Sequence, residues 1–244
     1  MTNSNNWFAS WFDSPYYHIL YKNRDYKEAD FFIQNLTSYL KPNNKDKILD
    51  LACGAGRHSI FLNSLGYKVT GVDLSPNSIE KALESKNDNL NFDVHDMREV
   101  YKENGFNFVF NLFTSFGYFD SNDENIKMLQ SVEKTLKPNG IFVLDFFNAN
   151  NVIKNLVEEE TKEVEGVEFK LKRELKKGKI IKHIEFETKN QSFSYSERVQ
   201  AIKLEDFEEL FSHTNMKIIT TFGNHSLEGF DKEKSDRLII IAQK

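Results

Sequence analysis

Short apolar runs alternate with amphipathic stretches along residues 47–147. The apolar runs have the length and composition of buried strands, which we predict near 47–51, 68–72, 91–94, 107–112 and 140–146. The intervening stretches carry apolar residues at helical spacing, which predicts helices near 57–65, 76–86 and 123–137, preceded by one at 26–40. Because strands that alternate with helices form parallel sheets, this order predicts an α/β fold, doubly wound, with helices on both faces.

The pattern changes after Asn150. Residues 161–203 contain runs in which apolar and charged residues alternate, and Lys176-Lys177-Gly178-Lys179 between two of these runs is typical of a hairpin turn. We therefore predict a small antiparallel β insertion that lies over one end of the main sheet. A helix near 204–213 follows it.

Composition limits the classes of function. The net charge is −5, which argues against a nucleic-acid partner, because phosphate contacts need a basic face. The one cysteine, Cys53, leaves no internal disulfide, and this favours a reducing, cytoplasmic location. No apolar run has the length of a membrane span, residues 1–10 lack the pattern of a signal peptide, and the six histidines show no metal-ligand spacing.

The residues after the first strand carry the clearest chemistry. The run Ile48-Leu49-Asp50-Leu51-Ala52-Cys53-Gly54-Ala55-Gly56-Arg57 combines a strand, an acid and a glycine turn that leads into a helix. Glycines allow the backbone to approach a ligand, and the N–H groups at the start of the helix point towards it. Asp73 ends the second strand, where a carboxylate accepts both ribose hydroxyls. The unit therefore predicts a site for a nucleoside-bearing cofactor.

The acid at the start of the loop separates two cofactor classes. A dinucleotide site carries a third small residue, Gly or Ala, where this chain has Ser59, and the Asp50 carboxylate would repel a pyrophosphate. A carboxylate suits a positively charged ligand such as the amino group and sulfonium of S-adenosylmethionine (SAM). An NAD-dependent oxidoreductase remains the competing interpretation.

Five ordered segments resemble the class I SAM-dependent methyltransferases. Asp50, Gly54 and Gly56 match that family's D/E-x-G-x-G-x-G loop, with Ala52 in place of its first glycine. The other four segments are Gly71–Ser75, Asp93–Arg98, Phe108–Phe113 and Leu136–Asp145. The resemblance covers residues 46–147 and implies a Rossmann-like, mostly parallel seven-stranded sheet that is closed by strands near 216–222 and 237–242.

The resemblance also implies a division of the chain and a set of cofactor contacts. A helical cap would span residues 1–45, the SAM-binding core 46–150 and 204–244, and a β insertion covering the substrate site 151–203. Asp50 would face the methionine amino end, Asp73 the ribose, Asp96 and Met97 the adenine, and the Asn111 backbone the sulfonium. The full set of cofactor-binding candidates is Tyr17, Arg24, Asp50, Ala52, Gly54, Gly56, Arg57, Asp73, Leu74, Asp96, Met97, Asn111 and Leu112.

The acceptor side resembles small-molecule N-methyltransferases, including the bacterial TDP-aminosugar N,N-dimethyltransferases. Residues 113–119 lack the Asn/Asp-Pro-Pro-Tyr motif of many nucleic-acid and protein-glutamine enzymes, and Tyr118 stands where the aminosugar enzymes have a histidine. Tyr118 is either a catalytic hydroxyl or an aromatic wall of the pocket. By the same resemblance Tyr17 would press on the methyl-sulfonium, and Arg24 would pair with the SAM carboxylate, unless it forms a surface ion pair with Asp25 or Glu28.

We therefore expect a SAM-dependent methyltransferase that acts on a small-molecule acceptor, with nitrogen slightly favoured over oxygen. We expect a monomer or homodimer, with no metal and no membrane partner. An RNA or protein methyltransferase and a non-catalytic SAM-binding or S-adenosylhomocysteine-binding module are the alternatives. Arg198 and His225 are further candidates for substrate contact, each with a plain structural role as the alternative.

Overall fold

The computed structural model describes residues 11–12, 14–21, 26–188 and 191–244. Its helices are α1 (Pro15–Leu20), α2 (Tyr26–Leu40), α3 (Arg57–Ser64), α4 (Pro76–Leu83), α5 (Asn122–Thr135), α6 (Ala149–Lys154) and α7 (Leu204–Ser212). Its strands are β1 (Lys47–Leu51), β2 (Lys68–Asp73), β3 (Leu90–Val94), β4 (Phe106–Asn111), β5 (Leu136–Phe147), β6 (Glu159–Val164), β7 (Val167–Lys176), β8 (Lys179–Thr188), β9 (Gln191–Gln200), β10 (Lys217–Phe222) and β11 (Arg237–Gln243).

Seven strands form the main sheet in the order β10-β11-β5-β4-β1-β2-β3. Neighbouring strands from β3 to β5 pair in parallel, and β11 is antiparallel to both β5 and β10. The order of strands reverses beside β1, which is the switch point where ligands bind outside the carboxyl ends of parallel strands. The mostly parallel, doubly wound sheet predicted from the sequence is confirmed.

Apolar strands hold this sheet together because both of its faces are covered. Residues 238–242 of β11 are all fully buried, as expected for a strand between two layers of helices. One core cluster packs α5 and α7 against one face, and a second packs α2, α3 and α4 against the other. The carboxyl ends of β1, β2 and β4 are therefore fixed by a rigid scaffold.

The predicted antiparallel insertion is a separate four-stranded sheet in the order β6-β7-β8-β9. The residues between β7 and β8 are Lys177 and Gly178, as the hairpin signal indicates. Trp11 and Leu20 pack in its apolar cluster, and the buried carboxylate of Glu197 accepts hydrogen bonds from Trp11 Nε1 at 2.7 Å and from the Tyr21 hydroxyl at 2.6 Å. These contacts fasten Trp11, Leu20 and Tyr21 to the insertion.

Two element boundaries differ by three residues or more from the sequence-based prediction. Strand β5 begins at Leu136 rather than at residue 140, because Leu136 pairs with Phe106 before the register shifts. Helix α4 ends at Leu83 rather than at residue 86, because Ser85 and Lys86 donate to carbonyls three residues back and form tight turns. No helix in the described part of the chain is long and apolar enough to cross a membrane.

Candidate functional site

A cavity of about 800 Å³ opens at the carboxyl ends of the parallel strands. The glycine loop, the end of β2 and the segments that follow β3 and β4 line one part of it, while the N-terminal segment and the β6–β7 turn line another. Ten candidate residues line it: Tyr17, Ala52, Gly54, Arg57, Asp73, Leu74, Asp96, Met97, Leu112 and Tyr118. Asp50, Gly56 and Asn111 lie behind this lining, and Arg24 lies outside the described residues.

Asp73 connects the glycine loop to the next helix. Its Oδ2 accepts the Gly54 N–H at 2.8 Å, and its Oδ1 accepts the Ser75 N–H at 2.8 Å. Ser75 in turn caps α4, because its side chain accepts from the Ser78 N–H. A carboxylate accepts several donors at once, so this geometry holds Asp73 at the cavity in a fixed orientation that suits ribose hydroxyls.

Asp50 is buried beneath the glycine loop and does not line the cavity. Its side chain is 1% exposed, and its Oδ2 accepts the Ser59 hydroxyl at 2.6 Å. Burial raises the pKa of Asp50 from its usual 3.8 to about 6; the Ser59 hydrogen bond opposes this, and the Asp73 charge adds to it. The carboxylate is thus a buried negative charge near neutral pH, close to where the sequence predicts a cationic ligand.

Replacing Asp50 with asparagine is expected to stabilise the ligand-free protein more at pH 7 than at pH 4. The folded state binds the Asp50 proton more tightly than the unfolded state does, so wild-type stability is lost as pH rises from 3.8 to about 6. Two pKa units correspond to at most about 3 kcal/mol of unfolding free energy. Urea unfolding at both pH values measures the difference.

Asp88→Asn, at an exposed carboxylate, is the control for this comparison. Its difference from the wild type should be small at both pH values. A stability difference between Asp50→Asn and wild type that does not change with pH would contradict the assignment of a raised pKa to Asp50.

Asp96 is held by a neighbouring cation. Arg98 donates to both of its carboxylate oxygens, with Nη2 to Oδ2 at 2.6 Å and Nε to Oδ1 at 3.0 Å, and its Nη1 donates to Glu124 at 2.6 Å. Burial alone would raise the pKa of Asp96, but the hydrogen bonds from Arg98 outweigh it and lower the pKa. Asp96 therefore stays ionised and oriented at the cavity, where an amino group is a suitable donor to it.

Aromatic side chains form the wall at the other end of the cavity. The ring of Phe12 lies 5.3 Å from that of Tyr118 and 5.1 Å from that of Tyr17, each in an edge-on arrangement. Glu165 reaches this end from the β6–β7 turn, whereas the Phe119 ring lies 5.1 Å from the Arg98 guanidinium, on the Asp96 side of the cavity. The half-buried rings of Phe12, Tyr17 and Tyr118 and the Glu165 carboxylate suit a cationic or cation-forming ligand.

Three candidates have structural surroundings that the sequence does not reveal. The Asn111 side chain donates to the Leu51 carbonyl at 2.9 Å and so ties the end of β4 to that of β1. The Arg57 guanidinium lies over the Phe113 ring at 5.0 Å. His225 does not line the cavity; its ring stacks on Phe32 at 4.3 Å and lies 5.0 Å from Phe113.

Sequence reasoning missed several residues of the lining. Arg98 follows Asp96 by two positions, and an acid and a base at that spacing are a local signal that was available. Phe12 and Glu165 gave no such signal, because their positions at the cavity depend on how the N-terminal segment and the insertion fold over the sheet. Phe119 lies in the segment 113–119, which the sequence associates with the acceptor side without marking this residue. Cys53 is 7% exposed, and burial raises the pKa of its thiol.

The residues present fit a SAM-like cofactor. A Cβ atom built on Gly54 meets no atom of the described residues within 4 Å, so the loop backbone borders open space. Leu74 is 39% exposed beside the cavity, an apolar surface of the kind that covers a flat ring. The cavity volume lies within the range of ligand pockets and leaves room for a small acceptor beside a cofactor.

Comparison with known proteins identifies the family. The family model described as "Methyltransferase domain" matches residues 42–220. A glycine/sarcosine N-methyltransferase of Aphanothece halophytica is 33% identical over 135 residues, which are 53% of this chain and 49% of that protein. The chain spans about half the length of the curated relatives that it matches.

Solved structures extend the likeness to nearly the whole chain. A SAM-dependent methyltransferase from Clostridium acetobutylicum superposes with a TM-score of 0.78 at 20% identity, covering 97% of each chain. CalS10, an amino pentose methyltransferase from Micromonospora echinaspora, gives 0.70 at 16% identity, covering 94% of this chain and 97% of that one. At these identities the likeness shows a shared fold.

The sequence-based resemblance and the fold thus agree with an independent family match. Because that match spans residues 42–220, well over half of the chain, this protein belongs to the methyltransferase domain family, as its sequence predicts.

Proposed function

We propose that this protein transfers a methyl group from SAM to a nitrogen atom of a small molecule. The observation that carries the proposal is that one continuous cavity of about 800 Å³ joins the glycine loop and Asp73 to an aromatic wall. One part of the cavity has the groups expected to hold a nucleoside, and the other has groups that suit an amine. Methyl transfer requires donor and acceptor to be aligned in one enclosed space.

The cofactor end supplies binding and orientation. When bound, SAM supplies a methyl group on a positively charged sulfur, which an acceptor displaces in line. We assign binding of the ribose to Asp73 and binding of the adenine to Asp96, Met97 and Leu74. The loop backbone at Gly54 borders the cofactor. The buried charge of Asp50 would lower the energy of a cation in the site, which favours SAM over a pyrophosphate-bearing cofactor.

The acceptor end favours nitrogen over oxygen. An amine that accepts a methyl group becomes positively charged, whereas an alcohol has to lose its proton to attack. The faces of Phe12, Tyr17 and Tyr118 stabilise a positive charge at short range, and the Glu165 carboxylate adds to this. An amine that has already lost its ammonium proton to solvent attacks without a general base, so Tyr118 serves as part of the wall in this proposal.

The proposed division of the chain into a cofactor-binding part and a substrate-covering part follows from the two sheets. Residues 46–150 and 204–244 would form the cofactor-binding core, and residues 1–45 and 151–203 would cover the substrate. Glu197 supports this division because it fastens Trp11 and Tyr21 to the insertion. A site that is covered in this way admits a small molecule more readily than a polymer.

The test compares matched nitrogen and oxygen acceptors. The protein is incubated with SAM and with glycine, sarcosine, an amino pentose, or glycolate, which replaces the amine of glycine with a hydroxyl. We expect a methylated product from one or more amines and none from glycolate, as read by mass spectrometry.

Binding measurements separate the competing functions in the same experiment. Calorimetric titration with S-adenosylhomocysteine should show binding, and titration with NAD should show none. Preferential binding of NAD would overturn the cofactor assignment. Methylation of bulk tRNA, or of glycolate in preference to glycine, would overturn the proposed acceptor.

A further inference from the structure

Arg237 pairs with the buried carboxylate of Asp145 behind the acceptor wall, the part of the cavity lining formed by Phe113, Thr114, Ser115 and Tyr118. From the geometry of this pair we infer that these two side chains are positioning residues for methyl transfer, because they hold Phe113 and Thr114 in the backbone conformation that shapes this wall. The inference rests on the proposed function for its kinetic consequence but not for its structural one. Neither Asp145 nor Arg237 is among the described residues that line the cavity.

The Asp145 carboxylate is fully buried on β5, and both of its oxygens are engaged. Oδ1 accepts Arg237 Nε at 2.8 Å, and Oδ2 accepts the Phe113 N–H at 2.7 Å. His225 Nε2 lies 3.7 Å from the same Oδ2. A buried carboxylate with these partners is a strong acceptor in a fixed orientation.

The residues that it holds are in an unusual conformation. Phe113 and Thr114 have φ angles of +55° and +62°, in the left-handed region that bulky and β-branched side chains rarely adopt. Such a conformation persists only where surrounding contacts over-determine it. Neither residue is a glycine, so the neighbouring side chains have to supply those contacts.

Three hydrogen bonds hold the backbone of Phe113 and the backbone and side chain of Thr114. The Phe113 N–H donates to the Asp145 carboxylate, the Thr114 N–H donates to the Asp145 carbonyl at 3.0 Å, and Arg237 Nη2 donates to Thr114 Oγ1 at 3.0 Å. One aspartate therefore binds both strained residues through side chain and backbone, and the arginine binds both the aspartate and the second strained residue.

The Asp145 carboxylate is ionised at neutral pH. Burial would raise the pKa of Asp145, but the adjacent Arg237 charge and the hydrogen bond from Arg237, with the nearby His225 ring, outweigh it and lower the pKa to about 2. The ion pair is therefore intact across the neutral pH range.

The position of the Asp145–Arg237 pair explains why its loss would affect the acceptor side of the cavity rather than the cofactor side. Phe113, Thr114, Ser115 and Tyr118 line the cavity, and all belong to the segment that starts at the strained pair. The glycine loop and Asp73 belong to other strands and keep their own hydrogen bonds. Loss of the pair should displace the acceptor wall and leave the nucleoside site in place.

The test replaces Arg237 with glutamine and Asp145 with asparagine, which keeps an oxygen for the Phe113 N–H. Lys232→Gln, which removes an exposed ion pair with Glu205, is the matched control. We expect kcat/KM for the acceptor amine to fall by about ten- to hundredfold in Arg237→Gln, since small misplacements far from the reacting atoms have effects of this size. Its Kd for S-adenosylhomocysteine should equal that of the wild type.

A second readout does not depend on activity. Amide hydrogen exchange at Phe113 and Thr114, followed by NMR at a temperature where every variant is folded, should be slow in the wild type and in Lys232→Gln. It should be fast in Arg237→Gln and intermediate in Asp145→Asn. Arg237→Lys restores the charge but not the two-point contact, so it should recover only part of the protection.

The outcomes separate this inference from the proposed function. Unchanged exchange at Phe113 and Thr114 in Arg237→Gln would overturn the inference, whether or not the wild type methylates an amine. Fast exchange with unchanged kcat/KM would reduce the ion pair to a structural role and overturn positioning. A wild type that methylates no amine would refute the proposed function, and exchange would still test the contacts.

Discussion

Replacing Asp73 with alanine is expected to weaken the binding of S-adenosylhomocysteine by about a hundredfold or more. A hydrogen bond to a charged group contributes roughly 1.5–3 kcal/mol, and every 1.4 kcal/mol or so is tenfold in Kd. The carboxylate would accept two ribose hydroxyls, and it also accepts the Gly54 and Ser75 N–H groups. Its loss therefore removes a direct contact and loosens the loop that borders the cofactor. Calorimetric titration measures the change.

Asp93→Ala is the matched control for Asp73→Ala. Asp93 lies opposite Val72 on the neighbouring strand β3, and its carboxylate accepts a hydrogen bond from the Tyr101 hydroxyl away from the cavity lining. Its replacement should leave the affinity unchanged. Similar affinity for S-adenosylhomocysteine in Asp73→Ala and wild type would show that the ribose is held elsewhere. An equal loss of affinity in Asp73→Ala and Asp93→Ala would indicate a general effect of destabilisation.

The core of the fold is predictable because its signals are local. Strand β1, the turn at Gly54 and Gly56 and the acid at the end of β2 all lie within residues 47–73, and a parallel strand buried on both faces has few alternatives. Ser75 followed by Pro76 likewise marks the start of α4, and the structure has that helix begin at Pro76. Each of these signals depends on neighbours within one turn or one strand.

The acceptor wall is less predictable because its contacts join distant parts of the chain. Asp145 meets Phe113 across 32 positions and Arg237 across 92, and nothing local to any of the three indicates this contact. The burial of Asp50 is hard to predict for the same reason, because it depends on contacts with Ser59 and with the helix that covers β1. The sequence identifies Asp50 as a chemically important acid, but its depth beneath the loop requires the fold.

The two glycines of the loop provide the sharpest test of how the sequence builds the site. Both have positive φ, +57° at Gly54 and +83° at Gly56, so an alanine is strained at either position. They differ in what a methyl group would meet. At Gly54 it meets no described atom within 4 Å, whereas at Gly56 it lies 2.7 Å from the Phe92 ring and 3.2 Å from the Ala82 Cβ.

Gly56→Ala is therefore expected to lower the free energy of unfolding by about 2–4 kcal/mol, the sum of backbone strain and an overpacked contact. Gly54→Ala should lower it by only about 1–2 kcal/mol, from strain alone. Its added methyl group borders the cavity, so Gly54→Ala should reduce the affinity for S-adenosylhomocysteine strongly. Urea unfolding and calorimetric titration of both variants measure the two effects.

Together the variants separate the two roles of the loop. If Gly54 borders the cofactor and Gly56 seats helix α3 against β3, the binding defect belongs mainly to the first and the folding defect mainly to the second. Equal stability losses with equal binding losses would mean that the loop acts only as a structural turn. A large stability loss in Gly54→Ala with normal affinity would reverse the assignment, because the open space at Gly54 would then not be the space that the cofactor occupies.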